Sequence, residues 1–301
     1  KVLVTTGTEP GYDRVRALQG DKVDHVYGDL TDFEFCKEQT KDMDCVFHVA
    51  GIKGSIKVTI DNPASFFVPL LMFNTNVLEA SRLNKVPKLV YTSSIGAYSA
   101  AEVFVESKDE DQGPPMDMYP GWAKRMAEMQ IQAYQTQYGL KDYSIVRPCN
   151  VYGPGDNFDP ENAMVIPTLM SRIYNGEDPV VVWGDGSAIR DFAYTRDVAE
   201  GAILALHHGT GGRYVNLGSG IGISIKELVE TLHNFLDFNY QFDTSKPSGF
   251  PRRIMDVSLA RDLIDYNPST TLRDGLESSW KWFLENQDEF KYKKNYFSEK
   301  N

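Results

Sequence analysis

The stretch Lys88-Leu-Val-Tyr-Thr-Ser-Ser-Ile-Gly-Ala-Tyr98 decides the fold of this chain. It begins as a short apolar run, which predicts a strand buried on both faces, as strands are in parallel sheets. Similar runs lie at residues 1–5, 23–27, 45–49 and 144–147, and the stretches between them can form helices. This alternation of strands and helices predicts an α/β fold with a doubly wound parallel sheet.

The sequence divides near residue 152 into two parts. Residues 1–152 predict a Rossmann-type dinucleotide-binding domain with helices at residues 74–83 and 121–137. From residue 153 onward the loops are longer and rich in Asp, Asn, Gly and Pro, which predicts a smaller C-terminal substrate-binding lobe over residues 153–301. We expect residues 191–210 to pack back on the Rossmann domain. Further helices are predicted at residues 197–207, 224–236 and 272–286, the second of them opened by a capping box.

The composition limits the functions open to the chain. Its 301 residues carry a formal net charge of −11, which argues against binding nucleic acid or a membrane surface because both are anionic. No apolar run approaches the roughly 20 residues that a membrane helix needs. The three cysteines, Cys36, Cys45 and Cys149, lack metal-ligand spacing and suit free thiols in a reducing compartment. We therefore expect a cytoplasmic protein without a metal site.

The segment between Thr5 and Asp21 is short for this fold. A Rossmann unit needs a glycine loop, a helix and a second strand there, and a parallel crossover alone takes about a dozen residues or more. Either the first crossover is lost or a segment is missing; we favour a missing segment, with its seam near Thr8 and Glu9. Gly7 lies where helix-terminal amides would meet a pyrophosphate, although a plain turn explains this glycine equally well.

Two later strands end in residues that suit a dinucleotide. In open α/β sheets, ligands bind at the carboxyl ends of the strands. Gly28 is followed there by Asp29 and Leu30, and we predict that this segment contacts the cofactor, with the Asp29 carboxylate facing adenine or its surroundings. The next strand ends in three further predicted cofactor-binding residues, Val49, Ala50 and Gly51.

The end of the stretch at residues 88–98, together with Lys124 on the following helix, resembles the extended short-chain dehydrogenase/reductase family, which includes the NAD-dependent epimerases and dehydratases. This resemblance implies an enzyme that uses NADP or NAD. It also implies that Ser94 orients the reacting sugar carbon. Lys124 would bind the nicotinamide ribose and form part of a Tyr-x-x-x-Lys acid/base pair.

The sequence departs from the Tyr-x-x-x-Lys spacing at the tyrosine. Pro120 stands four residues before Lys124, and the nearest tyrosine is Tyr119. Because proline pushes its predecessor out of helical geometry, we expect Tyr119 at the helix entrance rather than on the face of Lys124. A phenol beside a cation can serve as acid/base near neutrality, which makes Tyr119 the catalytic candidate. An exposed surface aromatic is the alternative.

Within the family, the chain most resembles the GDP-L-fucose synthase branch, over nearly its whole length. The resemblance implies that Pro148, Asn150 and Val151 close over the nicotinamide, with Asn150 also reaching the substrate. It further implies that a nucleotide-diphosphate sugar is bound by Arg172, Trp183 and Arg190. The planar guanidinium of arginine suits a diphosphate. Arg253, which follows another arginine, is a further candidate for phosphate binding.

The same branch uses a cysteine and a histidine for epimerisation, and the matching positions here are Gly96 and Met164. Neither residue can transfer a proton, so the preferred hypothesis is a 4-ketoreductase for a GDP-linked or related 6-deoxy sugar. The alternatives are a 4-epimerase or 4,6-dehydratase, and a dinucleotide-binding protein with weakened catalysis. The family resemblance also implies a homodimer formed by the helices at residues 74–83 and 121–137.

Overall fold

A computed structural model describes residues 3–6, 23–52, 56–108, 113–159 and 163–287. The strands in chain order are β1 (Leu3–Thr6), β2 (Asp24–Tyr27), β3 (Cys45–His48), β4 (Lys88–Thr92), β5 (Val103–Phe104), β6 (Tyr143–Pro148), β7 (Val151–Tyr152), β8 (Val180–Trp183), β9 (Ile189–Asp191), β10 (Ala193–Tyr194), β11 (Tyr214–Leu217), β12 (Gly222–Ser224), β13 (Tyr240–Asp243) and β14 (Arg252–Met255). The helices are α1 (Phe33–Gln39), α2 (Ile56–Asp61), α3 (Pro63–Leu83), α4 (Met118–Tyr138), α5 (Val165–Tyr174), α6 (Thr195–His208), α7 (Ile225–His233), α8 (Ser258–Ile264) and α9 (Leu272–Glu285).

A four-stranded parallel sheet in the order β11-β6-β4-β3 forms the centre of the first half. Its inner strands are buried almost throughout, which explains their continuous apolar sequences. β1 and β2 form a separate parallel pair. Helices α3 and α4 pack against each other, and α6 packs against β4 and β6. The predicted α/β fold with a parallel sheet is confirmed.

The second half builds its own core. Strands β12, β9, β14 and β5 form a sheet in which only the β12–β9 pairing is antiparallel, and β8 pairs with β13. Apolar side chains of α5, α7 and α9 fill the core beside them. Ser224 and Glu227 form the predicted capping box at α7. Trp280, Trp282 and Phe283 pack into this core, as their sequence suggested.

Two helices begin earlier than their sequences suggest. α3 starts at Pro63 rather than at residue 74 and contains Pro69 in its interior. α4 starts at Met118, so Tyr119 is helical and Pro120 lies within the first turn. Tyr119 therefore lies at the helix entrance, as expected, but the expectation that Pro120 keeps it out of helical geometry is wrong. The first N–H groups of a helix have no intrahelical acceptor, so proline costs little at that position.

Gly7 and the proposed seam near Thr8 and Glu9 lie outside the described residues. Within the part of the chain that the structure describes, no helix has the length and apolarity needed to cross a bilayer. The same residues contain no group of three or more His, Cys, Asp or Glu side chains arranged to hold a metal ion. Cys36, Cys45 and Cys149 are free thiols.

Candidate active site

The turn that follows β4 presents Ser94. A 3₁₀ turn over Ile95–Ala97 begins directly after this serine, whose Oγ accepts a hydrogen bond of 3.0 Å from Gly96 N. A hydroxyl that accepts in this way still has its proton to donate. Arg125 of α4 fixes the far side of the turn, because its Nε donates to the Ala97 carbonyl at 2.5 Å. The Ser94 hydroxyl is thus held by the backbone and available to a ligand oxygen.

Lys124 points from α4 to the carboxyl end of β4. Its Nζ donates to the Thr92 carbonyl at 2.7 Å and lies 5.0 Å from the centre of the Tyr91 ring. Burial lowers the pKa of Lys124 to about 8, while the nearby carboxylate of Glu128 opposes that shift. The lysine is therefore a cation poised to titrate just above neutral pH.

A buried amide and imidazole support this end of the sheet. His48, at the end of β3, is 3% exposed, and its Nε2 lies 2.8 Å from Asn74 Oδ1 on α3. Burial and then the charge of Lys124 lower the pKa of His48 to about 3, so the imidazole is neutral and its Nε2–H donates to the amide. Asn74 Nδ2 in turn reaches the Ala123 carbonyl at 3.5 Å. These contacts join β3, α3 and α4 behind Lys124.

A buried ion pair lies one helical turn beyond Lys124. Arg147 of β6 meets the Glu128 carboxylate with two bonds, of 2.9 Å from Nε and 2.6 Å from Nη2. The side chains are only 1% and 5% exposed. The Arg147 guanidinium lies between the rings of Tyr98 and Tyr214, 4.2 and 3.5 Å from their centres. This cluster joins the Ser94 turn, α4 and the sheet.

Tyr119 lies elsewhere on α4. It precedes Lys124 by five residues, which places the two side chains about 140° apart around the helix. Tyr119 is 45% exposed, and its ring makes an edge contact with Phe67 of α3, with 5.8 Å between the ring centres. Pro120 occupies the position on the face of Lys124. The catalytic role of Tyr119 stays a prediction, since no described contact joins it to Lys124 or Ser94.

The predicted cofactor residues line the ends of neighbouring strands. Asp29 is exposed, and its Oδ1 accepts from Thr31 N at 2.8 Å, which closes the turn after β2. Leu30 packs beneath this turn in the apolar clusters of α3. Val49 is exposed, and a Cβ built on Gly51 would meet no atom of the described residues within 4 Å. Among these residues, the segment at residues 49–51, which includes Ala50, is therefore an open ledge.

Asp191, at the end of β9, joins three segments of the chain by hydrogen bonds. Its buried carboxylate accepts hydrogen bonds from Ser219 N at 2.8 Å, Gly220 N at 3.0 Å and Met255 N at 3.2 Å. Its carbonyl accepts from Asn150 Nδ2 at 2.7 Å. One residue thus fixes the loop after β11, the end of β14 and the segment after β6. The last of these is the segment of the predicted site residues Pro148, Asn150 and Val151, all of which are partly buried.

Two of the predicted substrate arginines lie side by side. Arg190 and Arg253 are register partners on the parallel strands β9 and β14. Arg190 Nη1 donates to the Phe250 carbonyl at 2.7 Å, and the Arg253 guanidinium lies 4.3 Å from the centre of the Phe250 ring. Burial, together with the charge of Arg253, lowers the pKa of Arg190. Within the described residues Arg253 Nε is buried and lacks a hydrogen-bond partner. This pair can attract an anionic ligand.

The other predicted substrate residues lie apart from this pair. Arg172 forms a two-bond ion pair with Glu177 at the end of α5, including an Nε–Oε2 distance of 2.6 Å. Trp183, at the end of β8, is 62% exposed, and Lys246 lies 5.9 Å from its ring centre. Neither residue contacts the arginine pair among the described interactions. Their substrate roles stay predictions.

One acidic residue near the Ser94 turn escaped the sequence analysis. Asp117 is the N-cap residue of α4, yet its carboxylate makes no capping hydrogen bond among the described residues. A Cβ built on Gly96 would lie 2.8 Å from Asp117 Cγ and 3.0 Å from Asp117 Cβ. The carboxyl group therefore fills the space that a side chain at position 96 would need. No motif signals this contact, because it joins residues 21 positions apart.

Comparison with known protein families identifies the family of this chain. A family model described as the NAD dependent epimerase/dehydratase family matches residues 4–218. The chain belongs to this family. The predicted resemblance to the NAD-dependent epimerases and dehydratases is thereby confirmed, as is the predicted use of a nicotinamide dinucleotide.

Relatives of known name in this family point to nucleotide sugars. GDP-L-fucose synthase 1 of Arabidopsis thaliana is 35% identical over 274 residues, covering 87% of this chain and 84% of that protein. A dTDP-4-dehydro-6-deoxy-D-allose reductase from Streptomyces sp is 30% identical over 248 residues, covering 80% and 74%. The solved structure of a GDP-L-fucose synthetase from Naegleria fowleri bound to NADP superimposes with a TM-score of 0.79 at 25% identity, covering 95% of this chain and 93% of that one.

The described residues fit a bound nicotinamide dinucleotide. The open ledge at residues 49–51 leaves room for a ligand against the backbone. At the end of the adjacent strand, the Lys124 ammonium gives a hydrogen-bond donor suited to ribose hydroxyls. Both features lie at the carboxyl ends of parallel strands, where this class of sheet binds dinucleotides.

Proposed function

We propose that this enzyme is a nicotinamide-dependent nucleotide-sugar 4-ketoreductase, acting on a 4-keto-6-deoxy sugar carried by GDP or a related nucleotide. The observation that carries the proposal is the convergence of the Ser94 hydroxyl and the Lys124 ammonium at the carboxyl end of β4. The names of its relatives support the nucleotide-sugar substrate. When bound, NADPH or NADH supplies the hydride that reduces the sugar C4.

Each residue of the site has a role in this reaction. Ser94 donates a hydrogen bond to the C4 oxygen and so polarises the ketone. Lys124 holds the ribose, and its positive charge stabilises the negative charge that develops nearby. Arg190 and Arg253 hold the diphosphate of the substrate, for which their adjacent guanidinium groups are suited. The role of Tyr119 as acid/base stays a prediction that Tyr119→Phe tests.

The decisive experiment measures oxidation of NADPH and NADH with a panel of GDP-, dTDP- and UDP-linked 4-keto-6-deoxy sugars. We expect turnover with at least one sugar and a loss of about 100-fold in kcat for Ser94→Ala, since a general polarising hydrogen bond is removed. Ser269→Ala, at an exposed serine before α9, is the control and should stay within twofold. Turnover with no sugar in the panel would defeat the proposed function.

Product analysis separates this function from the alternative of a 4-epimerase or 4,6-dehydratase. Those enzymes regenerate their cofactor in each cycle and need none from solution. Incubation of nucleotide hexoses without added cofactor should therefore leave them unchanged. Appearance of an epimer or a dehydrated sugar would favour the alternative over the reductase.

We also propose a homodimer formed through α3 and α4. Val68 and Met72 of α3 are exposed one turn apart, and Met126 and Met129 of α4 are exposed at a similar spacing. Each pair therefore lies on one side of its helix. Exposed apolar side chains grouped in this way are expected to become buried at a subunit interface.

Three free cysteines support our proposal of a reducing, cytoplasmic location.

Placing a charge in this surface should separate the subunits. We expect sedimentation equilibrium to give the mass of two chains for the wild type, and Met72→Glu to shift it to one chain at micromolar concentration because burying an unpaired carboxylate is costly. Ile203→Glu, at an exposed apolar position on α6, serves as the control and should keep the dimer. A wild-type protein with the mass of a single chain would contradict this proposal.

A further inference from the structure

Reduction of a ketone needs a proton for the oxygen as well as a hydride for the carbon. On the face of α4 where Lys124 lies, the position expected to carry such a donor is occupied by Pro120, which has no proton to give. Tyr119 is rotated away on the helix and packs against Phe67. The proton donor must therefore be sought among groups close to Ser94, since this hydroxyl marks the position of the ketone oxygen.

Asp117 lies against Gly96, two residues after Ser94 in the turn. The Asp117 N–H donates to the Gly96 carbonyl at 3.2 Å, and Gly96 N donates to Ser94 Oγ at 3.0 Å. Gly121, one turn into α4, donates to the Asp117 carbonyl at 2.7 Å, and a Cβ there would come within 2.5 Å of the Gly96 carbonyl. Two glycines thus allow the start of α4 to approach the turn closely enough to bring the carboxyl group next to it.

The environment of this carboxyl group favours its protonated form. Asp117 remains accessible to solvent, yet the surrounding protein raises its pKa by desolvation. The positive charge of Arg253 opposes the shift, and Arg253 Nε lacks a hydrogen-bond partner among the described residues. A raised pKa lets a carboxylic acid donate a proton closer to neutral pH.

The geometry points to Asp117 as the acid that protonates the C4 oxygen during reduction of the sugar ketone. This inference rests on the proposed 4-ketoreductase function. The Oδ–H bond of Asp117 breaks as the new O–H bond forms on the C4 oxygen, while C4 gains the hydride. The ketone is reduced to an alcohol, NADPH is oxidised to NADP⁺, and a solvent proton restores the carboxylic acid.

Three variants near the start of α4 and on α8 test this assignment with the keto sugar that the panel identifies. Asp117→Asn should reduce kcat by at least 100-fold, in the range of a lost general acid. Tyr119→Phe removes the competing donor, and its reduction of kcat should be at least tenfold smaller than that of Asp117→Asn. Asp262→Asn, an exposed carboxylate on α8, should match the wild type. Unchanged turnover in Asp117→Asn with a large loss in Tyr119→Phe would overturn the inference while leaving the proposed function intact.

A measurement without cofactor gives an independent readout. The carbonyl stretch of a substrate labelled with ¹³C at C4 is followed by difference infrared spectroscopy on the bound ketone. We expect a shift to lower frequency in the wild type and in Tyr119→Phe, and a smaller shift in Asp117→Ala, because a hydrogen bond from an acid weakens the carbonyl bond. Equal shifts in wild type and Asp117→Ala would refute the assignment. Circular dichroism and NADPH fluorescence confirm that each variant is folded and binds cofactor.

Discussion

Lys124→Met is expected to lower kcat/KM for NADPH by about 1,000-fold, of which roughly 100-fold reflects lost charge stabilisation in the transition state and the rest lost ribose contacts. Methionine has nearly the length of lysine and fits the same space without a charge. The wild-type kcat/KM should fall as pH rises above about 8, because the neutral amine formed there cannot provide the charge. This alkaline limb should be absent in Lys124→Met.

As pH rises above about 8, the stability of the wild type should change in the opposite direction to its activity. The folded-state pKa of Lys124 lies below its unfolded value, so the unfolded chain binds more protons between pH 8 and 10.5 and wild-type stability gains with pH in that window. Lys124→Met lacks this gain and should be no less stable than wild type at pH 7. Lys88→Met is the matched control, since Lys88 on β4 also donates to a backbone carbonyl, at 3.4 Å. A similar loss of kcat/KM in Lys88→Met would contradict the role given to Lys124.

Glu128→Gln is expected to lower the free energy of unfolding by about 3–5 kcal/mol, because it leaves the buried guanidinium of Arg147 without its counter-charge. A loss of this size is a large share of the total stability of a typical domain. Urea titration followed by circular dichroism measures the change. The variant should also move the alkaline limb of kcat/KM to lower pH, because the Glu128 carboxylate raises the pKa of Lys124.

An exposed ion pair provides the comparison. Glu277→Gln removes the partner of Arg273 on α9, where both side chains are largely exposed, and should change stability by less than about 1 kcal/mol. Replacing both buried partners, as in Glu128→Leu with Arg147→Met, should recover part of the stability that Glu128→Gln loses, since no unpaired charge remains. A change in Glu128→Gln no larger than that in Glu277→Gln would contradict the energetic role of the buried pair.

The sequence predicted the parts of this molecule that depend on local pattern. Apolar runs located β3, β4 and β6 of the main sheet to within one or two residues, because strands buried on both faces have few polar positions, whereas β11 was not predicted. The capping box at Ser224 marked the start of α7. Ser94 and Lys124 were found through the family resemblance of the segments that carry them. In each case the signal lies within a few residues of the feature.

The sequence could not predict contacts between distant segments. The predicted helix starts at residues 74 and 121 were too late, because the packing of α3 against α4 extends α3 past Pro69 to Pro63 and the first turn of α4 tolerates Pro120. Asp117 was overlooked because its proximity to Gly96 depends on the approach of α4 to the turn. The buried pair of Arg147 and Glu128 likewise joins a strand to a helix, and no spacing rule connects them.

The hydrogen bonds of Asp191 have a consequence for the exchange of parts between related enzymes. This one carboxylate ties the strand of Arg190 to the loop after β11 and to the strand of Arg253. Because these donors are backbone N–H groups, a chimera keeps the bonds only if it carries an aspartate at position 191 and the backbone of the other two segments follows the same course. Chimeras intended to change the sugar specificity should therefore transfer residues 189–191, 218–220 and 252–255 together.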